Sequence, residues 1–285
     1  MLSGILNPRV IDCVSDTTSL ECKNDFGEFV MRAYQEGLAT DTLFKSKIDP
    51  TNEQAWTEKR EQVRKQLNAK YNVQHHGIQK AVIAAFWLGV LENRSNGIRV
   101  TSMNATIGTI FQHDAILALL WLPGQAFRAT FLGTLQEICY NKTEWNWTIA
   151  GAIGHARVVY ALLLQTEYVY LPTIQEDMFQ KVDLYAYFKK TKIGFCLQIK
   201  SRKGPFCAIE HKILNRNQQL EIDETKLIIQ AELTQEKQPN LIWIPAMINL
   251  GGDRYERDDL ENCIQIQDGI RDLVDIAKAI KSNLS

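Results

Sequence analysis

Along the first half of the chain, apolar residues recur at the three- and four-residue spacing of helices, and in the second half the pattern turns to alternation. "TNEQAWTEKREQVRKQLNAKY" opens on the capping-type Thr51 and holds Trp56, Val63 and Leu67 on roughly one face, which predicts a surface helix. "GIQKAVIAAFWLGVLENRSNG" predicts a more buried helix that closes at a Ser-Asn-Gly turn, and "TIGTIFQHDAILALLWLPG" and "GQAFRATFLGTLQEICYN" predict two more. Residues 1–145 therefore read as a helical N-terminal domain for recognition or partner binding, and 146–285 as a second domain of different pattern. That second part begins with "IAGAIGHARVVYALLLQ", whose apolar stripe predicts a helix. The short strand "EYVYLP", ended by Pro172, follows it. "NLIWIPAMIN" predicts a further strand before the glycines at 251 and 252, and "DGIRDLVDIAKAIKSNL" an amphipathic closing helix with Asp268 at its N-cap. Residues 205–238 fit strand or helix.

"KVDLYAYFKKTKIGFCLQIKSRKG", residues 181–204, alternates on both sides of a short basic turn, the period of a β-hairpin. Val182, Leu184, Ala186 and Phe188 share one face of the first arm, with Asp183, Tyr185 and Tyr187 on the other. In the second arm Ile193, Phe195, Leu197 and Ile199 form the apolar face and Gly194, Cys196, Gln198 and Lys200 the opposite one. If Lys189 to Lys192 make a four-residue loop, Phe188 faces Ile193, Asp183 stands opposite Gln198, and Lys200 lies two residues further on. A solvent-facing hairpin carries such a trio without any chemistry. On a central strand a lysine is costly unless paired, and a carboxylate with a lysine is what metal-assisted phosphodiester hydrolysis uses.

Net charge over the 285 residues is -1, so the overall balance announces no nucleic-acid partner. Its distribution says more. From Lys189 to Arg216 there are eight lysines and arginines against Glu210 alone. Lys189, Lys190, Lys192, Arg202 and Lys203 in that run are the candidate contacts to a DNA backbone, against the alternative of a solvated strand end. The basic helix with Lys59, Arg60, Arg64, Lys65 and Lys70 is diluted by Glu53, Glu58 and Glu61 and reads as a plain surface helix. The six cysteines form no C-x-x-C pair and read as free thiols in a reducing cytoplasm. The strongest apolar run, "AILALLWLPG", is about half the roughly 20 residues that a membrane span needs. A cytoplasmic protein without membrane contact is expected.

The order helix, strand, strand bearing Asp183 in "KVDLYAY", strand ending with Gln198 and Lys200 in "CLQIKSR" resembles the catalytic core of the PD-(D/E)XK nuclease superfamily. Its Q-x-K form is similar to that of Mrr-type restriction nucleases and of transposon-end endonucleases that partner a transposase. The resemblance spans about residues 146 to 250. It implies an α/β (α+β) fold, a restriction-endonuclease-like mixed β-sheet flanked by helices and preceded by the helical N-terminal region. It also implies a metal-dependent DNA endonuclease of a restriction, transposition or other mobile-element or phage system. Asp183, Gln198 and the main-chain carbonyl of Ile199 would bind Mg2+ or Mn2+, and Lys200 would assist the attacking water. DNA is the implied partner, with a protein partner or a second copy beside it.

The chain departs from the family pattern in its first core helix, which has no glutamate; His155 is the nearest polar residue. Glu176 and Asp177 are the nearest acids before Asp183 that could supply the missing charge, with Glu137 and Glu144 further upstream. Because Gln198 is neutral, the alternative expectation is a catalytically degenerate protein that binds DNA or serves as an assembly subunit.

Overall fold

The computed structural model describes residues 5–6, 20–40, 49, 52–95, 102–139, 143–165, 168–172, 177, 182–188, 193–200, 207–210, 242–249 and 275. Six helices run Leu20–Leu38 (α1), Glu53–Tyr71 (α2), His76–Ser95 (α3), Ser102–Trp121 (α4), Gln125–Ile138 (α5) and Thr143–Gln165 (α6). Six strands run Ile5–Leu6 (β1), Tyr168–Tyr170 (β2), Leu184–Phe188 (β3), Ile193–Lys200 (β4), Cys207–Glu210 (β5) and Ile242–Asn249 (β6). The fold divides into two compact units, Ile11–Ala156 and Met1–Val10 with Arg157–Ser285, the division falling within α6.

In the helical unit α3 is the central element, because residues 81–91 are buried without a break. A helix that is apolar on every face needs neighbours all round. The largest contacts put α4 and α1 against α3, with α2 on α3 and α5 on α1. Two glycines set the α1/α3 crossing. A Cβ on Gly37 would stand 2.1 Å from the Phe86 carbonyl oxygen, and one on Gly89 2.1 Å from the Tyr34 carbonyl oxygen, so the two backbones touch where no side chain fits. Tyr34 donates its hydroxyl to Glu92 beside this crossing, at 2.5 Å. Phe26 of α1 meets Phe127 of α5 with ring centroids 5.2 Å apart.

Helix α2 buries Trp56, Val63 and Leu67, as its periodicity predicts. Its N-cap is Asn52, whose side chain accepts from the Ala55 N–H at 3.0 Å; Thr51 lies outside the described residues. Asn72 ends the helix in the left-handed conformation, φ 51°, which asparagine tolerates.

In the other unit the strands pair in the order β1-β2-β3-β4-β6-β5. β2, β3 and β4 form an antiparallel run, β6 lies parallel to β4, and β5 is antiparallel to β6. Phe188 pairs with Ile193, the register expected from the four-residue loop. The hairpin does not have one solvent-facing side. Tyr185 and Tyr187 are as buried as Leu184 and Phe188, and Gly194 and Cys196 are buried too. β3 and β4 each have a strand on both edges, so neither is an edge strand.

The expected α/β restriction-endonuclease-like architecture is corrected. Most of the described residues lie in the six helices, and the antiparallel part of the sheet is the small β2-β3-β4 set. The physical reason lies in the helical unit: α3 is buried along residues 81–91 with α1, α2 and α4 packed on it, so a core of helix against helix takes most of the described residues. The expected closing helix from Asp268 falls outside the described residues, apart from Asp275. So do residues 211–241 and the glycines at 251 and 252. Among the described residues no helix is long and apolar enough to cross a membrane.

Candidate functional site

The hairpin brings together three of the residues singled out in the sequence. The β3-β4 ladder ends at Leu184 opposite Leu197, and one further step sets Asp183 alongside Gln198. Asp183 and Gln198 are half-buried, in contrast to the buried residues around them. The main-chain N–H of Asp183 donates to the Leu197 carbonyl at 2.8 Å. Its carboxylate does more: the Ile199 N–H donates to Asp183 Oδ2 at 2.6 Å. Ile199 would be paired with Val182 if the ladder continued, so the aspartate side chain supplies the acceptor where the main chain leaves the strand. The contact is a short, charge-assisted bond.

This gives Asp183 a structural duty that alternation alone does not reveal. Asp183→Ala should leave the Ile199 N–H without its acceptor and cost about 1–3 kcal/mol, whereas Asp183→Asn, which keeps an oxygen there, should cost about half as much or less. Urea midpoints of the two variants measure the difference.

Lys200 is the last residue of β4, opposite Asn249 of β6, so it does sit on an interior strand. Asp177, which lies in the chain between β2 and β3, is half-buried. Glu176, Lys189, Lys190, Lys192, Arg202 and Lys203 lie outside the described residues. His155 is half-buried on α6 and falls in the helical unit, whereas Asp183, Gln198 and Lys200 fall in the other. Glu137 is exposed on α5.

The oxygen groups on the residues that the hairpin register sets together are the Asp183 carboxylate, the Gln198 carboxamide and the Ile199 main-chain carbonyl. All are hard donors of the kind Mg2+ takes, and one carboxylate with water and substrate phosphates lies within the range of Mg2+ sites. They do not make a closed protein cage. Among the described residues no group of three or more His, Cys, Asp and Glu side chains could hold a metal ion.

A second polar constellation, not expected from the sequence, lies in the helical unit. Asp114 of α4 is 1% exposed, and two cations from different helices meet its Oδ1: Lys80 Nζ of α3 at 2.7 Å and Arg60 Nη2 of α2 at 3.4 Å. Burial pushes the Asp114 carboxyl up, but the charges of Lys80 and Arg60 and the Lys80 hydrogen bond more than offset it, so it titrates below the ordinary aspartate range. The one signal in the sequence was the pair His113-Asp114 inside an otherwise apolar helix. The partners, 34 and 54 residues away, carried none.

The other basic residues of α2 are satisfied locally. Arg64 pairs with Glu61 and Lys70 with Glu36, both at 2.6 Å, and Lys65 is 3.7 Å from Glu61. Tyr71 also donates to Glu36, at 2.6 Å, and burial with that bond pushes its hydroxyl well above the usual range. This is the plain surface helix that the mixed charges of α2 suggest.

Comparison of the chain with protein-family models, with curated proteins and with solved structures finds no match.

Proposed function

We propose that the β3-β4 hairpin is the active site of a metal-dependent endonuclease that hydrolyses phosphodiester bonds of DNA. The observation that carries this reading is the juxtaposition of Asp183 with Gln198 and the Ile199 main chain on an interior pair of strands, with Lys200 ending one of them. Asp183, Gln198 and the Ile199 carbonyl would hold Mg2+ or Mn2+, which would lower the pKa of a bound water and neutralise phosphoryl charge. In support of this role, the bond from the Ile199 N–H holds the Asp183 carboxylate against β4. Lys200 is assigned to the charge that builds on the phosphoryl oxygens. The basic residues Lys189, Lys190, Lys192, Arg202 and Lys203 would track the DNA backbone.

A second reading has its own observation. Asp183 already uses Oδ2 for the main chain, and among the described residues no group of three or more His, Cys, Asp and Glu side chains could hold a metal ion. On that reading the protein binds DNA or a protein partner as an assembly subunit and cuts nothing.

Incubation of supercoiled plasmid with Mg2+ or Mn2+ separates the two. Nicking or linearisation by the wild type is expected, with a loss on the order of 100-fold in Asp183→Asn and in Lys200→Met. Asp183→Asn is the informative aspartate variant because it retains an acceptor for Ile199. Cleavage that survives in both variants would exclude this site. Duplex binding without cleavage, and without saturable Mn2+ uptake in a calorimetric titration, selects the second reading.

A further inference from the structure

We infer that Arg60 and Lys80 form a binding site for a phosphate group, presented to it by the buried Asp114. The argument rests on charge and on unused donors, and does not depend on what the hairpin does. Asp114 supplies one negative charge and Arg60 and Lys80 supply two positive ones, which leaves the trio with a net positive charge. Its members are largely withdrawn from water: the side chain of Asp114 is 2% exposed, those of Arg60 and Lys80 23% and 22%. A partly buried excess charge is costly unless an opposite charge meets it.

Nothing else in the described protein meets it. The contact to Asp114 Oδ1 is the one partner of each cation among the described residues. A lysine ammonium has three N–H donors and an arginine guanidinium five, so most of the hydrogen-bonding capacity of both groups is unspent. The 3.4 Å separation of Arg60 Nη2 from the carboxylate leaves that guanidinium loosely held. The remaining exposure of both side chains gives a ligand a way in. The geometry differs from that of an ordinary surface pair. Elsewhere on α2 each cation-acid contact is made at the surface, with side chains 30% or more exposed.

Phosphate is the chemistry that suits the trio. A compact dianion or a diester oxygen offers several acceptors to two cations at once, and a planar guanidinium beside an ammonium is a recurrent phosphate clamp. His113, buried next to Asp114, is close enough to act on the Asp114 carboxylate electrostatically and belongs to the same local field. The phosphate could be carried by a small phosphorylated molecule or by a nucleic-acid backbone.

The test uses the full chain. Calorimetric titration with inorganic phosphate, at ionic strength held constant with chloride, should show saturable binding in the wild type. In Arg60→Gln and in Lys80→Gln, each of which keeps a donor for Asp114, binding should weaken about tenfold, the loss of one hydrogen bond to a charged group. Lys65→Gln, an exposed α2 control, should bind as the wild type does. A fluorescein-labelled 20-base-pair duplex followed by anisotropy distinguishes the sources. Competition between phosphate and duplex, lost in the same two variants, makes the nucleic-acid backbone the ligand; phosphate binding indifferent to duplex makes it a small phosphorylated molecule. Absence of saturable phosphate binding in the wild type overturns the site, as does unchanged binding in both variants. Should Arg60→Gln fail to fold, Arg60→Lys, which keeps the charge, takes its place, and the wild-type titration alone still decides.

Discussion

Gly89→Ala should be among the most damaging single substitutions in the helical unit, with a loss of about 3 kcal/mol or more, and Gly37→Ala should match it. The new methyl carbon at position 89 would lie 2.1 Å from the Tyr34 carbonyl oxygen and 2.9 Å from the Leu38 nitrogen; at position 37 it would meet Phe86 and Val90 in the same way. These are backbone atoms of a facing helix, so no rotamer change relieves the clash. The helices α1 and α3 must move apart, and with them the Tyr34-Glu92 hydrogen bond and the packing of the most buried helix. Overpacking typically costs about 1–3 kcal/mol where side chains can yield, and more where they cannot. Intrinsic helix preference works in the opposite direction, since alanine is favoured over glycine in a helix interior by about 1 kcal/mol. Gly133 on α5 isolates that contribution. It is exposed, and a methyl group there would meet nothing within 4 Å, so Gly133→Ala should stabilise the protein by about 0.5–1 kcal/mol. Thermal or urea unfolding of the three variants should therefore give two large losses and one small gain. Equal small effects at all three positions would contradict the close crossing.

The second large effect is expected at Asp114. Asp114→Ala removes the only acid shared by Arg60 and Lys80 among the described residues and opens a cavity in α4. Breaking a buried ion pair costs about 3–5 kcal/mol, and the partial exposure of the two cations, which lets water reach them, sets the expected loss at about 3 kcal/mol. The dependence on pH has a definite sign. The folded carboxyl titrates below the ordinary aspartate value of about 3.9, so in the acid range the folded state binds fewer protons than the unfolded chain. The stabilisation is therefore complete above about pH 5 and is lost as the pH falls through about 4 towards the lowered folded value. Urea midpoints of the wild type and of Asp114→Asn between pH 3 and pH 7 should converge at the acid end. A gap that stays constant across that range would refute an ionised Asp114.

Much of the helical unit was legible because its apolar positions are periodic. The helices α3 to α6 follow runs such as "AVIAAFWLGVL" and "AILALLW", whose length and spacing leave few alternatives. Helix α1 did not stand out in the same way. Its glycines, Gly27 and Gly37, weaken a helix signal, and Gly37 is there because the neighbouring backbone excludes a side chain. The hairpin register followed from loop length and alternation, whereas the burial of Tyr185 and Tyr187 did not. Tyrosine suits a wet face and a covered one equally, and only the neighbouring strands decide. The bond from Ile199 to the Asp183 carboxylate depends on where the strand ladder stops, which alternation does not encode. Asp114 was visible as an acid in an apolar run, but helix packing chose its partners. The restriction-endonuclease-like expectation drew on a few residues of the hairpin, and such a motif carries no information about how helices pack elsewhere.

The two residues of β1 carry a consequence for how the chain matures. Ile5 pairs with Tyr170 and Leu6 with Val169, so β1 is made before the helices and has no partner until residue 170 has been synthesised. The whole of Ile11–Ala156 emerges in between and has its own core to collapse upon. Helices close by local contacts, while this pairing must span a loop of more than 160 residues and is correspondingly late. Until then β2 presents an unpaired edge, an invitation to strands of other molecules. Removing Ile5 and Leu6 would make that temporary exposure permanent.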